Sequence, residues 1–278
     1  MRVFALSDLH LDYEENRTWL TGLSDQDYRS DWLIFAGDIS DDVKLAEACF
    51  AALSSKFARV FFVPGNHDLW VRRDEGVNSL DKFHAMLKLA GDHGLLTEPH
   101  REAGVTVAPL FGWYDYSFGA PGAQLLQSWM DYRACLWPDA MTPRQVTEYF
   151  LRLNEEAFQR FAAREGGEGL AAPQDNDVVI SFSHFVPRLD VMPSYISPKF
   201  HFIYPVLGSS ALDGQARQWQ AQRRLHVYGH SHVNRSVVID NIHYVNNAFG
   251  YPSEYRICRK QLFCIYDGVT HSSAFRSD

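Results

Sequence analysis

Short apolar runs near the start of the chain constrain its fold more than any other sequence feature. They cover residues 3–6, 32–36 and 60–63. Runs of this length without polar alternation are typical of strands that are buried on both faces. Apolar side chains recur at helical spacing over 43–57, between the second and third runs, and over 80–90 after the third. Because alternation of strands and helices favours parallel pairing with right-handed crossovers, we expect an α/β fold.

Each of these runs is followed at once by a polar cluster. The clusters are Ser7-Asp8-Leu9-His10, Gly37-Asp38 and Gly65-Asn66-His67-Asp68. In open α/β sheets, ligands bind outside the carboxyl ends of the strands. The three clusters are therefore expected to converge in space. Glycines precede Asp38, Asn66 and, later in the chain, His230, and we expect them to let the backbone turn sharply at the strand ends.

The last third of the chain returns to strand patterns, and two of them also end in histidines. Residues 178–182 lead to His184, and residues 225–228 lead to Gly229-His230-Ser231-His232. The apolar runs that follow predict an antiparallel finish; they cover 237–239, 242–245 and 262–266.

Residues 112–177 differ from the rest of the chain, being rich in aromatic and turn residues around one long helical pattern. Pro143 stands near the start of that helix, a position that proline tolerates well. We interpret this stretch as a mostly helical insertion that caps or flanks the site. The whole chain, 1–278, is then expected to be one domain, because a chain of this length can bury a full core.

Composition and charge argue against several classes of protein. The formal net charge is −8, which disfavours a nucleic-acid binder that relies on Lys and Arg contacts to phosphates. No apolar stretch approaches the roughly 20 residues of a membrane span. The N-terminus lacks the long apolar stretch of a secretory signal, so the cytoplasm is the expected location. We therefore expect neither a nucleic-acid partner nor membrane association.

The residue types in the polar clusters indicate metal chemistry. Imidazole and carboxylate ligands together suit borderline divalent metals such as Mn, Fe, Zn or Co. Residues two apart in an extended strand lie on the same side, so Asp8 and His10 can hold one ion. One carboxylate can bridge two ions, and two ions about 3.5–4 Å apart can clamp a phosphate for in-line attack by water.

Together, these motifs resemble the signature of the calcineurin-like metallophosphoesterase superfamily. That signature reads D-x-H, G-D, G-N-H-D/E, H and G-H-x-H, and every position of it is present between residues 8 and 232. The resemblance implies a sandwich of two mixed β-sheets flanked by helices. It also implies hydrolysis of a phosphate mono- or diester by a hydroxide that bridges two divalent metal ions.

The resemblance also assigns roles to the matching positions. The first metal would be held by Asp8, His10, Asp38 and His232. The second would be held by Asp38, Asn66, His184 and His230, with Asp38 bridging. His67 would face the substrate, and either stabilise the transition state or protonate the leaving oxygen. Asp41 occupies the place of an acid that orients this histidine in related phosphatases, with Asp42 and Asp68 as alternatives.

One departure from the superfamily pattern bears on the substrate. Ser/Thr protein phosphatases of this superfamily carry Asp-Arg-Gly where this chain has Asp41-Asp42-Val43, which weakens the protein-phosphatase interpretation. A small-molecule or nucleotide-like phosphoester is the preferred substrate, because the insertion is large enough to cap the site. A nuclease or a protein phosphatase of the same superfamily is an alternative, and so is a metal-binding scaffold without activity. Asp38, Asn66 and His67 are all present, which favours an enzyme.

Overall fold

A computed structural model of the chain describes residues 1–166 and 177–268. Within these ranges the strands form two sheets, one of four and one of six strands. The strands are β1 (Val3–Leu6), β2 (Trp32–Phe35), β3 (Arg59–Phe62), β4 (His100–Glu102), β5 (Val105–Leu110), β6 (Val178–Ser183), β7 (Arg223–Tyr228), β8 (Arg235–Ile239), β9 (Ile242–Asn246) and β10 (Phe263–Tyr266). Together with helices outside them, these two mixed sheets confirm the predicted α/β sandwich.

The smaller sheet has the strand order β10-β1-β2-β3. Strands β1, β2 and β3 are parallel, and the first two are buried at every position, as their apolar runs predict. Its outer face is covered by helices α1 (Glu14–Gly22), α2 (Val43–Lys56) and α3 (Ser79–Asp92). Asp42 caps the start of α2 by accepting a hydrogen bond from the backbone N–H of Lys44 at 2.9 Å.

The larger sheet has the order β4-β5-β6-β7-β9-β8. Its four central strands, from β5 to β9, run parallel to one another. Side chains from both sheets meet in one apolar core; Ile34 and Phe61 come from the smaller sheet, and Ile180 and Val227 from the larger. This packing brings the carboxyl ends of β1, β2, β3, β6 and β7 towards one another.

The predicted antiparallel finish is only partly correct. Strands β8 and β9 pair antiparallel, but β9 lies parallel to β7. The last strand, β10, leaves the larger sheet and pairs antiparallel with β1. The sequence pattern also missed β4, because its three residues are polar and at least partly exposed. Apolar periodicity reports burial, and it does not identify the neighbour of a strand.

The segment between β5 and β6 carries three helices, α4 (Ala123–Ser128), α5 (Asp131–Ala134) and α6 (Pro143–Arg164). Helix α6 begins with a capping box between Thr142 and Gln145, and its apolar face packs into the main core. Residues 167–176 of the predicted insertion lie outside the described ranges. A short helix, α7 (Ser210–Ala216), joins β6 to β7. Within 1–166 and 177–268, none of the helices is both long and apolar enough to cross a membrane.

Candidate metal centre

The predicted ligands lie together where the carboxyl ends of strands from both sheets meet. The smaller sheet supplies the loops after β1, β2 and β3, and the larger sheet supplies the loops after β6 and β7. The structure brings all seven predicted metal ligands into this region, and each is at most 9% exposed: Asp8, His10, Asp38, Asn66, His184, His230 and His232.

A first cluster of possible metal ligands is formed by Asp8, His10, Asp38 and His232. One ligand atom of each lies within 4.8 Å of the other three. The Nε2 atoms of His10 and His232 are 3.1 Å apart, and His232 Nε2 lies 3.2 Å from Asp8 Oδ1. Ring nitrogens and carboxylate oxygens that converge in this way can share one ion.

A second cluster consists of Asp38, His184 and His230, again with ligand atoms within 4.8 Å of one another. His184 Nε2 lies 3.5 Å from Asp38 Oδ2 and 3.1 Å from His230 Nδ1. The amide oxygen of Asn66 is 3.1 Å from the same His184 nitrogen, so it can join the cluster as a further oxygen ligand. Asp38 belongs to both clusters, and its carboxylate is therefore placed between them.

The charges of the two clusters fit a bound divalent cation. Burial opposes a charge on His232, yet the nearby carboxylates of Asp8 and Glu254 raise its pKa to about 10. Burial, together with the neighbouring charge of Asp8, raises the pKa of Asp38 well above its usual range. Buried acids need a positive partner, because an unpaired charge in the interior is costly. A cation at the clusters would supply that charge in place of a protonated histidine.

His67 lies beside the clusters and outside both of them. Its Nε2 is 3.9 Å from Asp38 Oδ2, and its backbone N–H donates to Asp38 Oδ1 at 2.9 Å. The ring stacks on Trp70 with centroids 3.7 Å apart, while 17% of the side chain stays exposed. Burial, together with the nearby His232 and His184, lowers the pKa of His67 to about 3. A neutral, partly exposed imidazole therefore faces the same region as Asp38.

The acid that was predicted to orient His67 has other partners. Asp41 is buried, and its two oxygens accept from Arg72 Nε at 3.0 Å and Arg73 Nε at 2.9 Å. Its role towards His67 therefore stays a prediction. Of the two alternatives, Asp42 caps α2, and Asp68 holds the loops together. The ring stacked on His67 is that of Trp70, which the sequence analysis did not single out, and the His10 ring meets His67 edge-on.

Asp68 fixes the loop after β2 against the loop after β3. Its buried carboxylate accepts hydrogen bonds of 2.8 to 3.2 Å from four backbone N–H groups, those of Asp38, Ile39, Ser40 and Gly65. Four such bonds can satisfy a carboxylate that water does not reach. Asp68 therefore sets the distance between Asp38 and the Gly-Asn-His turn.

Glu254 is a second residue that sequence reasoning missed. Its Oε2 lies 2.6 Å from His232 Nδ1 and accepts from the backbone N–H of Tyr251 at 2.8 Å. A carboxylate on the second ring nitrogen of a ligand histidine fixes the ring and makes the first nitrogen a better metal ligand. The sequence gives no periodic signal for Glu254, since it lies in a short turn at Pro252–Glu254.

Five of the seven predicted ligands have backbone in the left-handed region. The φ angles are 53° at Asp8, 42° at His10, 61° at Asp38, 66° at His230 and 52° at His232. A residue with a side chain pays of order 1 kcal/mol or more for this conformation. The hydrogen bonds and packing around these loops hold the backbone there, which directs the side chains into the centre.

The glycines of the motifs act in two different ways. Gly37 has a φ of 79°, as expected for a sharp turn. Gly65 and Gly229, in contrast, are not among the described residues with positive φ, so their places do not require the left-handed backbone that favours glycine. They matter because no side chain fits: a Cβ at Gly229 would lie 2.7 Å from Asp8 Oδ2, and one at Gly65 would overlap Asp38 Oδ1.

Gly65→Ala is therefore expected to disrupt the centre. The new methyl group would displace the Asp38 carboxylate and would lie 2.7 Å from His184 Cε1. We expect turnover to fall about a hundredfold or more, because small misplacements of reacting groups carry costs of that size. Metal content after dialysis and initial rates would be measured.

Gly91→Ala is the control, since Gly91 is within α3 and has open space around it. That variant should keep its activity and gain about 0.5–1 kcal/mol of stability. Normal metal content in Gly65→Ala would contradict the expectation.

Comparison with known proteins agrees with this geometry. The family model of calcineurin-like phosphoesterases matches residues 1–234. A curated relative, the acyl-carrier-protein phosphodiesterase PptH of Mycobacterium tuberculosis, is 25% identical over 267 residues, which cover 91% of this chain and 79% of the relative.

Solved structures are similar over most of the chain. The crystal structure of phosphopantetheinyl hydrolase (PptH) from Mycobacterium tuberculosis superposes with a TM-score of 0.69 and 24% identity, covering 92% of this chain and 91% of the other. A putative 5'-nucleotidase from Staphylococcus aureus superposes with a TM-score of 0.46 and 13% identity, covering 99% of this chain and 55% of the other.

The match to the family model includes every strand-end motif of the centre, from Asp8 to His232. The first of the two superpositions agrees with the sandwich of two mixed sheets. The clustered acids and histidines supply the ligand types that the chemistry of this family requires. The chain therefore belongs to the calcineurin-like phosphoesterase family and is a metal-dependent hydrolase of phosphate esters.

Proposed function

We propose that the enzyme works with two divalent metal ions that share Asp38. The observation that carries this proposal is the membership of Asp38 in both ligand clusters. Asp8, His10 and His232 would complete the first site; Asn66, His184 and His230 would complete the second. Mn, Fe, Zn and Co are the ions that suit these nitrogen and oxygen ligands. Such ions, when bound, lower the pKa of water and neutralise charge on a phosphoryl group.

The chain's own side chains position the ligands and contact the substrate. Asp38 fixes the spacing of the two sites, because its carboxylate reaches both clusters. Glu254 holds His232 at Nδ1 and fixes the ring, which leaves Nε2 facing the first cluster together with Asp8. His67, outside the clusters, would donate a hydrogen bond to the phosphoryl group from its neutral ring, or protonate the leaving oxygen if the bound substrate raises its lowered pKa enough for it to carry a second proton. Trp70, stacked on the ring, keeps His67 from turning away.

We further propose that the substrate is a phosphodiester of the phosphopantetheinyl class. The relative's names describe a phosphodiesterase of acyl-carrier protein and a phosphopantetheinyl hydrolase. The aromatic rings beside the site favour a substrate whose phosphate carries an organic substituent. Trp70, Trp129 and Tyr251 each contact a histidine of the site. Aromatic rings give apolar contact area around a polar reaction centre.

The test uses metal-stripped protein that is reloaded with Mn, Zn, Fe or Co in turn. We expect bound metal to approach two ions per chain, and turnover to rise with the second. Paired nitrophenyl diester and monoester substrates would be compared, and release of phosphopantetheine from a carrier protein would be followed by mass spectrometry. Full activity at one ion per chain would overturn the two-metal proposal. Hydrolysis of the monoester alone would overturn the diester proposal.

A further inference from the structure

A buried carboxylate from the helical segment reaches the metal centre from behind. Asp131, at the start of α5, is only 3% exposed. It accepts side-chain hydrogen bonds from Asn66 Nδ2 at 2.9 Å, Trp70 Nε1 at 2.7 Å and Trp129 Nε1 at 2.8 Å, and the Tyr114 side chain is a further hydrogen-bond partner. None of these donors is close to Asp131 in the sequence except Trp129. Asp131 therefore joins Asn66 and Trp70, which both follow β3, to the segment between β5 and β6.

The bond to Asn66 determines which end of its amide faces the clusters. An amide has one acceptor end and one donor end, and a carboxylate can bind only the donor end. Because Asn66 Nδ2 donates to Asp131, its Oδ1 is left to face His184 Nε2, 3.1 Å away. A metal can bind the amide oxygen and not the amide nitrogen. The orientation that Asp131 imposes is thus the one in which Asn66 can be a ligand.

The two indole bonds act on the rings of two histidines. Trp70 donates to Asp131 and stacks on His67 with centroids 3.7 Å apart. Trp129 donates to the other carboxylate oxygen and meets His230 edge-on, with centroids 5.8 Å apart. An indole that is tied at its N–H cannot rotate without breaking that bond. Asp131 thereby fixes the surfaces against which both imidazoles rest.

We infer that Asp131 is a positioning residue, which sets the Asn66 amide for the second metal and the Trp70 indole for His67. The inference rests on the proposed function, since it takes the second cluster to be a metal site. The carboxylate has no direct part in the reaction, because its two oxygens are occupied by the three N–H donors. Through Asp131, the helical segment orders residues of the site in addition to flanking it.

Asp131→Asn tests the inference while keeping the size of the side chain. Its single amide oxygen can accept either from Asn66 and Trp70 or from Trp129, and its NH₂ group then faces the remaining N–H donors. Either way a contact behind the second cluster is lost, to the Asn66 amide or to the indole against His230. Loss of such a supporting contact typically weakens metal affinity about 10–100-fold. We expect that loss for one of the two Mn²⁺ ions by calorimetry, together with a lower kcat at limiting Mn²⁺ and partial recovery at excess Mn²⁺.

A reciprocal exchange separates positioning from general structure. In the double variant Asn66→Asp/Asp131→Asn, the amide at 131 can donate to the carboxylate at 66, which still offers an oxygen to the metal. We expect it to bind the second ion more tightly than Asp131→Asn alone. Asp31→Asn is the matched control, since Asp31 is a buried carboxylate on Arg2. It should lose stability and keep both metal affinities.

Trp70→Phe keeps a ring beside His67 but removes the N–H donor, and it serves if Asp131→Asn fails to fold. We expect a fall in kcat of about tenfold with both ions retained. Wild-type metal affinity and kcat in Asp131→Asn would overturn the inference, as would wild-type kcat in Trp70→Phe. Neither result would affect the proposed function, which fails only if the wild-type protein itself binds fewer than two ions or leaves diesters intact.

Discussion

Replacing Asp38 with asparagine is expected to abolish hydrolysis and to remove bound metal from both sites. Asp38 is a member of both ligand clusters, and its Oδ1 also accepts the backbone N–H of His67 at 2.9 Å. An amide has nearly the same shape but lacks the charge and one acceptor oxygen. Metal ions stabilise the transition states of such reactions by several kcal/mol, so we expect a loss of about a thousandfold or more.

Metal analysis after dialysis and initial rates on a diester would check this expectation. Asp92→Asn provides the control, because Asp92 is an exposed residue on α3 that forms an ion pair with Lys88. It makes the same chemical change far from the strand-end loops, and it should leave metal content and rate unchanged. An Asp38→Asn protein that retains two ions would contradict the assignment of Asp38 as the shared ligand.

His67→Ala is expected to lower kcat about 10²–10⁴-fold while both metal ions stay bound. The size follows from the usual contribution of a positioned proton donor. Metal retention follows from the geometry, since His67 lies outside both clusters. His84→Ala is the control, because His84 is exposed on α3 and bonds only to Tyr149 among the described side chains.

The choice of leaving group would separate the two roles proposed for His67. If His67 protonates the leaving oxygen, the loss should be much larger for an alkyl ester than for a nitrophenyl ester, whose leaving group needs no proton. If it stabilises the phosphoryl group, both esters should lose activity equally. Loss of bound metal in His67→Ala would contradict its placement outside the ligand set.

The clustering of the proposed metal ligands could be predicted from sequence because each follows a buried strand. Strands β1 and β2 show continuous apolar runs and β6 an apolar run interrupted by Ser181, so their carboxyl ends are visible in the sequence. The helices between the early strands indicate parallel pairing, and parallel strands place their carboxyl ends at the same edge of a sheet.

The supporting residues could not be predicted in the same way. Asp131 comes 65 positions after Asn66, in a segment without periodic burial, and only the folded chain brings the two together. The same holds for Glu254, whose turn packs against His232 across 22 positions. Hydrogen-bond partners of this kind depend on tertiary packing, and local patterns report only burial. The pairing of β10 with β1 is a further example.

The left-handed backbone at the proposed metal ligands serves the reaction but lowers the stability of the fold. At Asp8, Asp38 and His230 the side chain that the reaction needs is attached to a conformation that glycine would adopt at lower cost. Replacements there would relax the fold while destroying the enzyme. Selection for heat resistance alone is therefore expected to replace these residues, and only continued selection for hydrolysis would preserve them.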